Sequence, residues 1–339
     1  MADKRVTSLD VAAAAGVSQS AVSRVFTPGA SVSPKMAERV RKAAAELGYR
    51  PNVLARSLIT GRSRIIGLVV AYLHNQFYPE ALERLSNALQ AQGYHILVFV
   101  ARGRGPEVEK VVEELLDYQV DGIVAASVGL SDELFTRCEA AGIPVVLFNR
   151  GHQDRGLSQV TSDNLAGGRL AAEFLIAGGH RRIAHISGWQ GATTGRDREA
   201  GFRAALDAAG LTPVALADGM YEREIAAQFA IEIWQAERPD AIFVGNDHMA
   251  FGVMDALRYD LGIDVPGEVS VVGYDDVQAA SWAAYSLTTV RQPANRMVEA
   301  TVRTLLSQIE DPMRPVEKIE ITGDLIVRGS ARIPEDWER

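Results

Sequence analysis

The stretch "SQSAVSRVF", residues 18–26, sets four polar side chains, Gln19, Ser20, Ser23 and Arg24, around two valines that a helix would bring to one face, Val22 and Val25. Gln, Ser and Arg can hydrogen-bond base edges, but on an exposed helix the same residue types often do no more than keep the face solvated. Only the surroundings can separate the two readings. A second polar set follows apolar runs: Asn149 after "PVVLF", Asn246 at the end of "AIFVG", and Asp275 in "GYDD" after another such run. Polar groups just past the carboxyl ends of buried strands are where an open α/β sheet holds a small ligand. Asn246 suits a helix N-cap equally well.

Catalytic and metal chemistry find little support. The histidines, His74, His95, His152, His180, His185 and His248, are scattered without ligand spacing, and only His248, beside Asn246, is placed to touch a ligand there. The single cysteine, Cys138 in "LFTRCEAAG", excludes an internal disulfide and a multi-cysteine zinc site. The fragments "ARGRGPE" and "GATTGRD" supply neither a G-x-G-x-x-G nor a Walker lysine, and no HExxH or G-x-S-x-G occurs. The expectation is a protein without cofactor or metal that is not an enzyme.

At 339 residues and 47% hydrophobic, the chain can fill two or three domains. No window approaches the roughly 20 apolar residues of a membrane span, and Asp10 and Gly16 cut the first apolar run too short for a signal peptide. A cytoplasmic protein with no membrane partner is expected. The net charge of −8 conceals an asymmetry: residues 1–64 carry eleven Lys/Arg against four acids, +7, and the remainder is −15. A basic head on an acidic body points to a polyanion partner for the head alone.

The elements that must position these residues are legible. Thr7 with Asp10 forms a capping box before an Ala/Val-rich helix that Gly16 stops, and three residues later the quoted helix begins, which makes a helix-turn-helix candidate. Ser33-Pro34 opens a third helix that runs to Leu47, with Val40, Ala44 and Leu47 inward. From Ile65 onward, "IIGLVV", "HILVFV", "GIVAAS", "PVVLF", "RIAHIS", "AIFVG" and "VSVVGY" alternate with helical patterns at 79–92, 107–117, 131–141, 164–178, 196–209, 222–236 and 247–260, and "KIEIT" and "DLIVR" close the chain as strand-like runs. Such alternation predicts α/β architecture: two doubly wound parallel-sheet lobes dividing near Asp163, preceded by a small all-α head.

Taken in order, "LDVAAAAGVSQSAVSRVF", "VSPKMAERVRKAAAELGYRPNVLARSL", "GRDREAGFRAAL", "GNDHMAFGVMDAL", "VSVVGYDD" and "SLTTVRQP" resemble the LacI/GalR family of bacterial transcriptional regulators over nearly the whole chain. The resemblance implies a helix-turn-helix DNA-binding domain at 1–50, a hinge helix and linker at 51–63, and an effector-binding and dimerisation domain at 64–339. The N-lobe would take about 64–162 and 291–325, and the C-lobe about 163–290 and 326–339. It implies base contacts by Gln19, Ser20 and Arg24, and phosphate contacts by Thr7, Ser18, Ser23, Thr27 and Ser33. In the hinge, Asn52, Ala55 and Leu58 would meet the minor groove, Leu58 as the wedge between base pairs.

The body is similar to type I periplasmic sugar-binding proteins. That likeness implies an effector held by Arg198 and Asp275, with Asn149, Asp163, Thr194 and Asn246 as further polar contacts and Phe77 and Tyr221 as aromatic walls. The expected partners are operator DNA, a sugar, sugar acid or related polyol, and a second copy of the chain. Residues 19 and 20 differ from the Tyr-Gln pair of the lactose repressor, so its operator does not carry over. No leucine heptads precede Arg339, so the expected state is a dimer, to which "NQFYPEALERLSNAL" contributes in part. Release by the effector is the expected sense, with corepression as the alternative. A sugar-binding receptor without DNA function fits the lobes but not the basic head, and a dinucleotide or phosphate-donor enzyme lacks its motifs.

Overall fold

The computed structural model describes residues 6–27, 30–50, 62–71, 73–101, 106–128, 131–152, 156–335 and 337. The hinge candidates Asn52, Ala55 and Leu58 lie outside the described residues. The chain forms two compact units, Met1–Ser63 and Arg64–Arg339.

In the first unit, α1 (Ser8–Ala15) starts at a capping box: the Thr7 amide and hydroxyl both donate to Asp10 Oδ2, at 2.8 and 2.7 Å. Gly16, at φ +63°, ends it in the left-handed region that glycine tolerates. Three residues then turn the chain into α2 (Gln19–Val25), and α3 (Pro34–Glu46) follows with proline at its start. Val11, Ala12, Ala15, Val22, Val25, Val40, Ala43 and Ala44 make the core. Leu47, expected inward, is instead exposed, and Tyr49 packs at that end against Phe26.

The second unit contains two six-stranded sheets. The first has the order β11-β5-β4-β3-β1-β2, from β1 (Ile65–Val70), β2 (His95–Val100), β3 (Gly122–Ala126), β4 (Val145–Phe148), β5 (Ser158–Ser162) and β11 (Lys318–Ile321). The second has the order β12-β10-β9-β8-β6-β7, from β6 (Ile183–Ser187), β7 (Ala215–Asp218), β8 (Ala241–Val244), β9 (Ser270–Asp275), β10 (Thr288–Arg291) and β12 (Leu325–Ile326). All pairings are parallel except β10 with β12. Each sheet runs second-first-third-fourth-fifth in its own strand count, the order that leaves a ligand crevice at the carboxyl ends.

The first lobe carries α4 (Phe77–Ala91), α5 (Pro106–Asp117), α6 (Asp132–Ala140) and α11 (Ala294–Glu310). The second carries α7 (Asn164–Ala177), α8 (Thr193–Ala208), α9 (Arg223–Glu237) and α10 (Asp247–Asp255), whose last turn widens into a π-helix at Ala256–Asp260. Helices α7 and α8 touch backbone to backbone, because a Cβ on Gly168 would lie 2.0 Å from the Arg198 carbonyl and one on Gly201 would lie 2.0 Å from that of Leu165. That contact fixes the turn of α8 from which Arg198 projects.

Three strands escape the apolar pattern. β5, "SQVTS", is fully buried yet polar, and its Ser158 hydroxyl is satisfied by Gln308 Nε2 at 2.8 Å and the Glu317 amide at 3.0 Å. β7 is a short edge strand, and β10 hides in "SLTTVRQP". Conversely β2, read as buried on both faces, is the sheet edge and leaves Val98 and Val100 exposed.

Candidate DNA interface and effector cleft

Helix α2 buries Ala21, Val22 and Val25 and turns Gln19, Ser20, Ser23 and Arg24 to solvent. Gln19 Nε2 donates to Ser8 Oγ at 3.0 Å and Arg24 Nε to the Ser20 carbonyl at 3.4 Å, which holds both long side chains against the head while leaving other donors free for a partner. Three of the five phosphate candidates are N-caps: Thr7 of α1, Ser18 accepting from the Ala21 amide, and Ser33 accepting from the Met36 amide. Helix amino termini carry unpaired N–H groups and positive dipole ends, so they suit phosphate oxygens. Thr27 donates to the Ser23 carbonyl at 2.9 Å, just past the end of α2.

In the second unit, a cleft of about 540 Å³, its open mouth included, lies between the lobes. The structure brings Asn149, Thr194, Arg198, Tyr221, Asn246 and Asp275 together on its walls. Arg198, 2% exposed, is held from every side: Nε donates to Asn164 Oδ1 at 2.8 Å, Nη1 to the Gly245 carbonyl at 2.6 Å, and the guanidinium lies 3.6 Å from the centre of the Tyr274 ring. Asp275 sits 3.7 Å away and accepts from Gln292 Nε2 at 2.7 Å and, across the cleft, from Asn75 Nδ2 at 3.3 Å. Burial pushes the Asp275 carboxyl up to about 6, against the opposing pull of Arg198 and its two amide donors. Beneath it, burial and then the Asp275 charge hold Asp247 well above the usual carboxylate range, although Thr289 and the Val277 amide both donate to it.

Backbone strain gathers here. Ser127, Asn149, Tyr221 and Asp275 all line the cleft, and all have φ between +60° and +122° without being glycine. Such conformations cost of order 1–3 kcal/mol each and persist where the surroundings over-determine them. Gly188 admits the Tyr221 ring, which a Cβ there would strike at 2.0 Å, and Tyr221 Oη pairs with Thr194 Oγ1 at 2.8 Å.

Two expected effector residues lie elsewhere. Phe77 is buried in the core, stacked on Phe148 at 6.2 Å, because its helix starts earlier than the pattern suggested; the next residue, Tyr78, faces the cleft. Asp163 caps α7 by accepting from the Ala166 amide at 2.9 Å and lines a separate polar pocket with Asp197 and Glu320. Asn246 is the N-cap of α10, Oδ1 accepting from the Met249 amide at 2.9 Å, and its Nδ2 is buried at the cleft without a partner. His248 lines the cleft as well, and burial lowers its pKa.

Residues not singled out from sequence complete the walls: His74, Asn75, Tyr78, Ser127, Arg150 and Glu222. Ser127 obeys the strand-end rule that found Asn149, and Arg150 is its neighbour. Gln292 follows β10, a strand the sequence pattern did not reveal.

Known proteins resemble this chain over nearly its whole length. Residues 7–52 match "Bacterial regulatory proteins, lacI family" and residues 172–331 match "Periplasmic binding protein-like domain". The ribose operon repressor of Escherichia coli K12 is 33% identical over 337 residues, 96% of this chain and 99% of that one. This chain belongs to the LacI family. The HTH-type transcriptional regulator CelR of Thermobifida fusca is 36% identical over 96% of this chain and 98% of its own. Among solved structures, the lac repressor dimer bound to operator and the anti-inducer ONPF matches with a TM-score of 0.87 at 29% identity, over 96% of this chain and 99% of that one. As a LacI-family protein, this chain is a DNA-binding transcriptional regulator with an effector-binding domain. Among the described residues no helix is long and apolar enough to cross a membrane.

Proposed function

We propose that this LacI-family protein is a dimeric repressor of carbohydrate catabolism or transport genes, released from a pseudo-palindromic operator when a small polyhydroxy effector occupies the cleft between its lobes. The observation that carries this reading is the buried Arg198–Asp275 pair, set among the unpartnered Asn149 Oδ1 and Asn246 Nδ2 and the hydroxyls of Thr194 and Tyr221. Alternating donors and acceptors around a charged pair match the vicinal hydroxyls of a polyol, and the tyrosines supply apolar walls. CelR, a relative solved in complex with cellobiose, supports a sugar-like ligand.

On the DNA side, Gln19, Ser20 and Arg24 read base edges. Thr7, Ser18, Ser23, Thr27 and Ser33 hold phosphates, and Asn52, Ala55 and Leu58 form the minor-groove hinge. The dimer presents two heads to two half-sites, and the exposed valines of the β2 edge, with part of α4, suit the contact between copies. A mobility-shift titration on the DNA upstream of its own gene, repeated with pentoses, hexoses, sugar acids and nucleobases, tests the whole scheme. A ligand that releases the DNA supports it, and one that tightens the complex would make the protein corepressor-dependent.

A further inference from the structure

The cleft contains two guanidiniums, and only one is balanced. Arg198 has Asp275 at 3.7 Å and spends two of its donors on the protein. Arg150 enters from the opposite lobe, one residue beyond Asn149 at the end of β4. Its Nε is buried with no hydrogen-bond partner, and among the described residues no carboxylate pairs with it; the guanidinium lies 5.5 Å from the centre of the Trp189 ring and its charge bears on the buried Tyr78 hydroxyl. The remaining acid of the cleft, Glu222, lies at the start of α9 on the other lobe and acts on His248. An arginine whose Nε–H is shut away from water without an acceptor is poised for an anion, because its planar fork matches a carboxylate or phosphate and desolvation strengthens the pairing.

We propose that the ligand of this cleft is a polyol carrying a carboxylate, a sugar acid, with Arg150 gripping the carboxylate while Arg198, Asp275 and Asn246 take the hydroxyls. The proposal rests on the reading of the cleft as the effector site. It adds one requirement that a neutral sugar does not meet: a negative charge at the β4 end. A carboxylate is favoured over the bulkier phosphate because Tyr78, Ser127 and Asn149 already crowd that corner, with Asn149 Nδ2 donating to Tyr78 Oη at 2.9 Å.

The test is calorimetric titration of the full-length protein with matched probes: glucose against gluconate and glucuronate, galactose against galacturonate, and glucose 6-phosphate. At least one acid is expected to bind roughly tenfold to a hundredfold more tightly than its neutral twin, the range of a charge-assisted hydrogen bond. Arg150→Gln should bring that ratio close to one, and Arg150→Lys should restore part of it. If neutral sugars bind as well as acids, or Arg150→Gln weakens both alike, the anion site is overturned while the effector cleft stands. Preference for the phosphate overturns the carboxylate assignment. If Asp275→Asn leaves the binding of every probe unchanged, the ligand is not in this cleft and the underlying reading falls first.

Discussion

At the scale of single residues, the same side-chain type is put to different uses by its surroundings. Arg24 stands on an exposed helix face, where its charge is solvated until DNA arrives. A bidentate arginine–guanine contact discriminates by about 1–3 kcal/mol, so Arg24→Ala should weaken operator binding by that amount while random DNA loses less. Fluorescence anisotropy on both DNAs checks this, and equal losses would reduce Arg24 to a phosphate contact. His185 shows the opposite environment. It is stacked on Phe243 and tilted against Phe202 in a cluster of three mutually touching rings, with Nδ1 on the Phe243 carbonyl at 2.9 Å, and burial drives its pKa down to about 4. The folded protein keeps this ring neutral, whereas the unfolded chain protonates it from about pH 6.5 downward. Its share of stability is therefore whole above that pH and is lost as the pH falls toward 4, amounting to roughly 3 kcal/mol in full. The raised carboxyls of Asp247 and Asp275 work in the other direction, favouring the fold as acid is added. His185→Phe should flatten the decline of Tm between pH 7 and 4.5, and an unchanged slope would move the acid sensitivity to other groups, such as the buried His180.

At the scale of elements, the packing of α7 on α8 decides where Arg198 points. Gly168→Ala gains about 1 kcal/mol in helix propensity, but its methyl would meet the Arg198 carbonyl at 2.0 Å, and overpacking of this sort costs about 1–3 kcal/mol. The expected result is a net loss of stability in thermal melts together with weaker effector binding as α8 shifts; a variant as stable as its parent would show that the helices can separate freely. Neither glycine contact could be read from "NLAGGRLAAEF" and "GFRAAL", because close approach depends on which helices become neighbours. What was legible followed from periodicity. Seven apolar strands and the helices between them fall within a few residues of their expected places; in six of the strands burial on both faces accounts for the apolar run, while the edge strand β2 carries one without that burial. β5 and β10 carried no such run, because serine and threonine hydroxyls buried there are satisfied by neighbours distant in sequence, as Ser158 is by Gln308 and Glu317. The cleft was half legible for the same reason. Strand ends announced Asn149, Asn246 and Asp275, whereas Asn75 and Tyr78 reach it from a loop and a helix start whose direction only the fold sets, and Gln292 braces Asp275 from just past β10.

At the scale of the whole effector unit, the two lobes are tied across the cleft by few groups. Asn75 Nδ2 reaches Asp275, Thr193 Oγ1 donates to the Gly151 carbonyl at 3.3 Å, and Arg150 faces Trp189. Each tie joins lobe to lobe, so each is made or broken as the lobes close or part, and a ligand shifts that equilibrium only by what it gains in one state over the other. Asp275→Asn keeps the shape of the side chain and can still accept from Gln292, but it removes the charge that balances Arg198. Effector affinity should fall at least tenfold, and the difference in operator affinity with and without effector, of order 1–3 kcal/mol in such coupled systems, should vanish with it. DNA binding without effector should stay near that of the parent, since the head is a separate compact unit with its own core. Paired titrations, DNA at fixed ligand and ligand at fixed DNA, must give the same coupling in either order. A variant that still binds effector normally yet no longer releases DNA would place Asp275 in the transmission between lobes and heads rather than in the ligand's own contacts.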